Sequence, residues 1–180
     1  MKLIILLITS TLLLSSCSST TQVSTPGFVP TCDQIKLLPT SDKSSSMPCL
    51  DGGGEINFHR LKGPIVVNVW GSWCEGCKEE MPYFVDLYKT NLFESGQIQL
   101  LGINVEESSK EDAIQYIEQS GMSWPHLEDL DGISKSIFGP GVPVTWFVNE
   151  AGENVGTKIG AYTNKDQLFE QVEKAFGIKL

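Results

Sequence analysis

Basic residues are scarce in this sequence of 180 residues. Lysine and arginine together number 13, against 22 aspartates and glutamates, so the formal net charge is -9. A surface that binds the phosphate backbone of DNA or RNA needs clustered positive charge, which this composition does not supply. We therefore expect no nucleic-acid partner.

Arginine and histidine are rarer still. Arg60 is the only arginine, and His59 and His126 are the only histidines. A peroxidase that works through cysteine needs an arginine beside that cysteine, so a peroxidase is disfavoured. A lone Cys-x-x-Cys pair is half of a zinc site, but no second pair exists and neither histidine has ligand spacing. We expect no metal and no cofactor.

Long hydrophobic runs are also missing. The longest apolar stretch, from Leu3 to Leu14, would reach only about 18 Å as a helix, against about 30 Å for a bilayer core. A durable transmembrane helix is therefore disfavoured. The charged start Met1-Lys2, followed by this apolar core, is typical of an export signal, and we assign residues 1–16 to a signal peptide.

The segment Leu14-Ser15-Ser16-Cys17 resembles the lipobox of bacterial lipoproteins. The resemblance implies that Cys17 receives a diacylglyceryl group and becomes the new N-terminus, and two or more acyl chains anchor a protein stably. The alternative is an ordinary signal peptide that happens to precede a cysteine. We expect the protein on the extracytoplasmic face of a bacterial cell membrane, lipid-anchored.

Between Ser18 and Thr31 the sequence consists mostly of Ser, Thr, Gln, Pro and Gly, which cannot bury enough apolar surface to order itself. We assign residues 17–48 to a lipidated N-terminus and tether, and residues 49–180 to one folded domain.

Five cysteines are present, and four remain if Cys17 is acylated. An even number outside the cytosol suggests two bridges. Cys74 and Cys77 are close enough to pair, which leaves Cys32 and Cys49 for a structural bridge worth roughly 3 kcal/mol in the chain-entropy model. The alternative for that second pair is two free or transiently reactive thiols.

The hydrophobic pattern of the remaining chain alternates between strands and helices. A buried strand is expected at 64–70, and a helix is expected from Glu75 to about Asn91, where Met81, Phe84 and Val85 show helical spacing. Further expected elements are a short strand at 55–58, a strand at 97–105, a helix after the capping box 109–112, a hairpin of 144–148 with 154–159, and a last helix from Thr163. This order predicts an α/β fold with a central mixed β-sheet flanked by helices.

Cys74 and Cys77 stand where the buried strand gives way to a helix. Free N–H groups at a helix N-terminus stabilise a thiolate, so Cys74 is the expected nucleophile toward disulfides. Cys77 follows one turn later and can attack the mixed disulfide, closing a redox-active Cys74–Cys77 bridge.

Two segments carry a resemblance to a known family over residues of about 50 to 178. They are the run 67–82, which contains Trp73-Cys74-Glu75-Gly76-Cys77, and the run 141–145, Gly-Val-Pro-Val-Thr. The chain resembles the TlpA/ResA-like branch of the thioredoxin-fold oxidoreductases. The resemblance implies a thioredoxin-like fold, a cis-proline at Pro143 beside the cysteine pair, and a Val142 backbone that binds an extended substrate. From the residues alone, Pro143 could equally be a trans proline at a strand start.

Three positions near the cysteines bear on the mechanism. Asn68 occupies the place of the buried aspartate of cytosolic thioredoxins and cannot shuttle a proton. The resemblance implies that Glu80, one turn beyond Cys77, supplies a carboxylate to the site, whereas the alternative is a solvated surface charge. Trp73 is expected to present an apolar face to the substrate, although a packing role alone is the alternative.

The leading hypothesis is a protein-disulfide reductase. The resemblance implies apocytochrome c as a substrate, in cytochrome c maturation, and a membrane thiol carrier as the electron donor. One alternative is a disulfide oxidase or isomerase that uses the same cysteines, and another is a binding module on a redox-dead scaffold. The acidic residues Glu75, Glu79 and Glu80 oppose the helix dipole at Cys74, which favours a reductant. We expect a monomer.

The first testable prediction concerns the anchor. Replacing Cys17 by Ala should release the protein from the membrane fraction or stop its processing, because the acylation site is lost. Cell fractionation with immunoblotting measures both. Membrane retention with normal cleavage of the variant would contradict the lipoprotein assignment.

Overall fold

The computed structural model describes residues 29–39 and 45–180, so Cys17 and the expected signal peptide lie outside the described residues. Two 3-10 turns, at Cys32–Gln34 and Phe58–Arg60, accompany the regular elements. The strands and helices are β1 (Ser46–Pro48), β2 (Glu55–Asn57), β3 (Ile65–Trp70), α1 (Glu75–Tyr88), α2 (Asn91–Glu94), β4 (Gln99–Val105), α3 (Lys110–Ser120), β5 (His126–Asp129), α4 (Ile133–Phe138), β6 (Val144–Val148), β7 (Asn154–Ile159) and α5 (Lys165–Phe176).

A five-stranded sheet in the order β5-β4-β3-β6-β7 forms the centre of the molecule. β3 pairs in parallel with β4 and antiparallel with β6, and β7 closes the sheet as a hairpin partner of β6. Helices flank this mixed sheet, which confirms the predicted α/β fold. In the part of the chain that the structure describes, no helix combines the length and apolarity needed to cross a membrane.

Alternation along β3 divides the core into two clusters, one on each face of the sheet. Val66 and Trp70 point toward the long helices α1, α3 and α5. Ile65, Val67 and Val69 point to the opposite face, toward α4, the β1–β2 hairpin and the N-terminal segment. Because successive side chains of a strand alternate, Asn68 lies on the same face as Trp70, under α1.

The N-terminal segment packs against the domain ahead of residue 49. Cys32 and Ile35 are buried in the second cluster, and a Cys32–Cys49 disulfide joins the segment to the rest of the domain with 6.2 Å between the Cα atoms. Cys49 forms an isolated bridge with Leu127 of β5. The disulfide therefore attaches the segment at the edge of the central sheet.

His126, the first residue of β5, is fully buried between aromatic rings. Its Nδ1 accepts a hydrogen bond from Trp70 Nε1 at 3.3 Å, and its ring packs against Trp124. Burial lowers the pKa of His126 to about 3, so this imidazole is neutral at physiological pH. Gly102 of β4 makes room for it, because a Cβ there would overlap the imidazole ring.

Several element boundaries differ from the sequence-based expectation. The helix expected from Glu75 to about Asn91 ends at Tyr88, because the Thr90 hydroxyl donates to the Leu87 carbonyl and the chain turns into α2. The last helix begins at Lys165 rather than Thr163, since Asn164 is its N-cap. The pattern gave no indication of β5 and α4.

The Cys32–Cys49 disulfide generates the second prediction. Replacing both cysteines by Ala should lower the free energy of unfolding by about 3 kcal/mol, because the open loop gains conformational entropy in the unfolded state. Urea unfolding followed by tryptophan fluorescence measures this change. Disulfide exchange by Cys74 and Cys77 should be affected far less than stability, and an unchanged unfolding midpoint would contradict a stabilising bridge.

Candidate active site

The turn before α1 brings the Cys-x-x-Cys pair to the carboxyl end of β3. Cys74 is the N-cap of α1, and its Sγ accepts a hydrogen bond from the Cys77 backbone N–H at 3.1 Å. The two residues form a disulfide with 5.2 Å between their Cα atoms. Cys77 is fully buried and Cys74 is 6% exposed, so only the first sulfur is near the surface.

A carboxylate from the loop that follows the neighbouring strand β4 holds this turn. Glu107 accepts hydrogen bonds from the Ser72 backbone N–H and from the Ser72 hydroxyl at 2.7 Å through its two oxygens. It also accepts from Asn104 Nδ2 at 2.7 Å. β3 and β4 are parallel, so residues that follow their carboxyl ends meet at one edge of the sheet. Glu107 therefore fixes the backbone two residues before Cys74.

Trp73 lies across the mouth of the site and is 50% exposed. Its indole Nε1 donates to the Val105 carbonyl at 3.2 Å, which fixes the orientation of the ring. Gly71 permits this position, because a Cβ at residue 71 would lie 2.6 Å from that nitrogen. The exposed face of the indole is thus presented beside Cys74.

Glu80 is fully buried on α1, one turn after Cys77, so it is not a solvated surface charge. One carboxylate oxygen accepts from Asn68 Nδ2 at 3.0 Å, and the other accepts from the Tyr162 backbone N–H at 2.9 Å. Glu80 follows Cys77 by three residues and therefore shares its face of α1. The site combines a buried thiol position with a buried carboxyl group.

Burial raises the pKa of Glu80 to about 7. The hydrogen bonds from Tyr162 and Asn68 and the positive charge of Lys158 act in the opposite direction, but desolvation outweighs them. A carboxyl group with a pKa near neutrality is populated in both protonation states at physiological pH. Glu80 can therefore accept or release a proton where an ordinary glutamate would stay ionised.

Pro143 and the chain after β7 cover the other side of the pair. The Val142–Pro143 peptide bond is cis. A Cβ on Gly76 would lie 3.5 Å from both Pro143 Cδ and Ala161 Cβ, so the residue between the cysteines is in close contact with both segments. The Gly160 backbone N–H donates to the Pro143 carbonyl at 2.9 Å and joins the two segments to each other.

A groove of about 590 Å³ begins at Trp73 and Val142 and extends toward the loop between β5 and α4. Leu130, on its far side, is 69% exposed. An ion pair between Lys135 and Glu106 crosses this region. The groove therefore places exposed apolar side chains and charged groups next to Trp73, the residue that precedes Cys74.

Arg60 and the Cys32–Cys49 pair lie outside this group of residues. The Nε of Arg60 donates to the Leu38 carbonyl at 3.0 Å, within the turn that follows β2. Cys32, Cys49 and Asp51 form a group compact enough for a metal ion. Both sulfurs of that group are bonded to each other, so neither is available as a thiolate ligand.

The structure brings the cysteine pair, Glu80, Trp73, Val142 and Pro143 together at one end of the sheet, and it keeps the second disulfide outside this group. Sequence reasoning missed Glu107 and Tyr162. The position of Glu107, two residues after a strand that is parallel to β3, could have indicated it. Tyr162 contributes its backbone N–H, for which side-chain identity gives no signal.

A family model described as the AhpC/TSA family matches residues 42–153. The chain belongs to the AhpC/TSA family. The thiol-disulfide oxidoreductase ResA of Bacillus subtilis is 32% identical over 113 residues, which cover 62% of each chain. The sporulation thiol-disulfide oxidoreductase A of the same organism is 28% identical over 125 residues, 68% of this chain and 74% of that protein. These relatives confirm the expected ResA-like resemblance.

Solved structures share the fold at lower identity. A secreted disulfide oxidoreductase of Mycobacterium tuberculosis has a TM-score of 0.60 at 19% identity and covers 72% of this chain and 94% of its own. StoA of Bacillus subtilis has a TM-score of 0.54 at 24% identity, with coverages of 68% and 91%. The chain spans about 62% of the length of the ResA relatives.

The buried carboxyl group generates the third prediction. Because the pKa of Glu80 is raised from 4.5 to about 7, folding binds a proton between these pH values and the wild type loses stability as pH rises through them. Gln cannot ionise, so the stability of Glu80→Gln relative to wild type should rise by up to about 3 kcal/mol between pH 5 and pH 8, on top of a constant cost for the hydrogen bond that its amide NH2 cannot accept. Urea unfolding of the oxidised proteins at pH 5 and pH 8 measures the difference.

The exposed neighbour Glu79 supplies the control, since Glu79→Gln removes the same charge from the surface. Its stability relative to wild type should hardly change between the two pH values. A Glu80→Gln difference that is equally flat would show that the carboxyl group titrates normally in the folded protein.

Proposed function

We propose that this chain is a membrane-anchored, extracytoplasmic thiol-disulfide oxidoreductase that reduces protein disulfides through Cys74 and Cys77. One observation carries the proposal. A buried carboxyl group with a pKa of about 7 follows Cys77 by one turn on the same helix face, in a helix whose N-cap is Cys74. A structural disulfide has no use for a proton acceptor, whereas a resolving thiol requires one.

In the first step, the thiolate of Cys74 attacks one sulfur of the substrate disulfide. A new bond joins Cys74 to that sulfur, the substrate S–S bond breaks, and the other substrate sulfur leaves as a thiolate that takes up a proton. The helix N-terminus and the Cys77 backbone N–H stabilise the attacking thiolate. The 6% exposure of Cys74 is compatible with attack by this sulfur alone.

In the second step, the carboxylate of Glu80 takes the proton of the Cys77 thiol. The Cys77 sulfur attacks Cys74 and closes the Cys74–Cys77 bridge, and the bond from Cys74 to the substrate breaks. The second substrate sulfur leaves as a thiolate and receives a proton. Two electrons have then passed from the cysteine pair to the substrate. Asn68 and the Tyr162 N–H hold the carboxylate in place for this transfer.

The groove beside Trp73 supports a polypeptide substrate. An extended segment that carries the attacked cysteine would lie along Val142 and Pro143 and place a neighbouring apolar side chain against Trp73 and Leu130. Apocytochrome c is the substrate that the ResA-like resemblance suggests. A thiol carrier in the membrane would reopen the Cys74–Cys77 bridge, and the acyl chains on Cys17 would keep the domain near that carrier.

Charges around Cys74 support electron donation by this protein. Glu75 is exposed and forms an ion pair with Lys78 at 3.6 Å, so the positive charge of Lys78 is shared with an acid. Strong oxidants stabilise the thiolate of the attacking cysteine with positive charge or extra donors, which makes their reduced form the favoured one. Acidic residues around Cys74 destabilise its thiolate instead. They therefore favour the oxidised form with the closed disulfide, and a protein that favours this form donates electrons.

The fourth prediction is a trapping experiment. With Cys77→Ser, Cys74 can still attack a substrate but the second step is blocked, so mixed disulfides should accumulate. They are isolated from the membrane fraction under non-reducing conditions, and the partner is identified by mass spectrometry. Cys74→Ser is the matched control and should hold no partner, because the attacking nucleophile is gone. Equal adducts in both variants would contradict the assigned roles.

A redox titration separates a reductase from an oxidase or isomerase. Equilibration with dithiothreitol buffers, followed by fluorescence of Trp73, should give a potential nearer to about -270 mV than to about -120 mV. A potential above about -180 mV would favour the oxidase or isomerase.

A further inference from the structure

Lys158, the penultimate residue of β7, turns its side chain back onto the chain that follows the strand. Its Nζ donates to the carbonyls of Ile159 and Gly160 at 2.9 Å each, and to the carbonyl of Ala161 at 3.3 Å. It also lies 5.6 Å from the centre of the Tyr162 ring. Three successive carbonyls are therefore gathered around one ammonium group, which uses all three of its donors.

Lys158 thus bonds the carbonyls of residues 159–161 and approaches the Tyr162 ring, and residues 160–162 form a loop that contacts each part of the active site. Gly160, with a φ of 81°, bonds the carbonyl of the cis-proline Pro143. Ala161 packs against Gly76 between the two cysteines. The Tyr162 backbone N–H donates to Glu80. A shift of the 160–162 loop would therefore change contacts to the cysteine pair, the proline and the carboxyl group together.

Several polar and charged groups act on the Glu80 carboxyl group. From β3, the neutral amide of Asn68 donates to the carboxyl group. The phenols of Tyr116 on α3 and of Tyr162 interact with it electrostatically, and the Tyr162 phenol is hydrogen-bonded to Thr145 of β6 and Gln171 of α5. Its own helix contributes Cys77, the exposed Glu79 and the pair of Glu75 with Lys78. Among the groups that lower the pKa of Glu80, Lys158 is the one that carries a positive charge.

We propose that Lys158 is a positioning residue that holds the 160–162 loop in place and thereby aims the Tyr162 N–H at Glu80. The inference rests on the proposed function of Glu80 as the proton acceptor of Cys77. Lys158 does not contact the reacting sulfurs. It acts through the loop backbone and through its charge, and both effects favour the ionised carboxylate that the second step needs.

The test compares Lys158→Met, which keeps the length of the side chain and removes its charge and donors, with Lys158→Arg, which keeps both. The carboxyl signal of Glu80 is followed by carbon-13 NMR between pH 5 and 9 and assigned by its absence in Glu80→Gln. Lys158→Met should raise the pKa of Glu80, and a rise of about one pH unit lowers the ionised fraction at pH 7 roughly fivefold. Its rate of disulfide reduction at pH 7 should fall by a similar factor and recover at higher pH.

Two further measurements distinguish positioning from a general loss of structure. Hydrogen exchange at the Tyr162 amide should accelerate in Lys158→Met, while Lys158→Arg should retain the wild-type exchange rate and pH profile. Lys89→Met, which removes an exposed lysine at the end of α1, is the matched charge control and should leave the Glu80 titration unchanged.

The two proposals fail in different ways. If Glu80→Gln keeps the wild-type pH profile of disulfide reduction, Glu80 is not the proton acceptor, and the NMR and exchange measurements still decide the role of Lys158. If Lys158→Met leaves both the Glu80 titration and the Tyr162 amide exchange unchanged, Lys158 does not position the loop and this inference is overturned.

Discussion

A carboxyl group buried behind the resolving cysteine must receive hydrogen bonds, and this requirement connects three distant parts of the chain. Glu80 on α1 is joined to Asn68 on β3 and to the backbone of Tyr162 after β7. Without these donors, the desolvated carboxylate would be too costly to form at neutral pH. With them, burial still dominates, and the group stays poised between its two protonation states.

The topology of the sheet makes this arrangement possible. Parallel pairing of β3 with β4 places Glu107 next to the turn before Cys74, and antiparallel pairing of β6 with β7 returns the chain to the cis-proline and to Glu80. The active site therefore receives residues from both sides of the central strand. The face that carries the Cys32–Cys49 disulfide takes no part in these contacts, which separates the stabilising bridge from the reactive one.

Local patterns were enough to predict the parts of the fold with strong periodicity. β3 is a continuous apolar run and the 144–159 hairpin surrounds a turn signal, and both were predicted within one residue. β5 was not predicted, because a histidine and two acidic residues give it no strand pattern, and its burial results from pairing with β4. The link between Glu80 and Tyr162 spans 82 residues and uses a backbone donor, so no local pattern could indicate it.

The hydrogen bonds of Glu80 belong to the form in which the cysteine bridge is closed. When the bridge opens, a thiol or thiolate at Cys77 shares the same enclosed space, and the two groups titrate as a coupled pair rather than independently. Reduction would then change the number of protons bound at the carboxyl group as well as at the sulfurs. The midpoint potential would not follow a single straight line with pH but would bend near neutrality, so the driving force for electron transfer would depend on the acidity of the compartment in which the protein works.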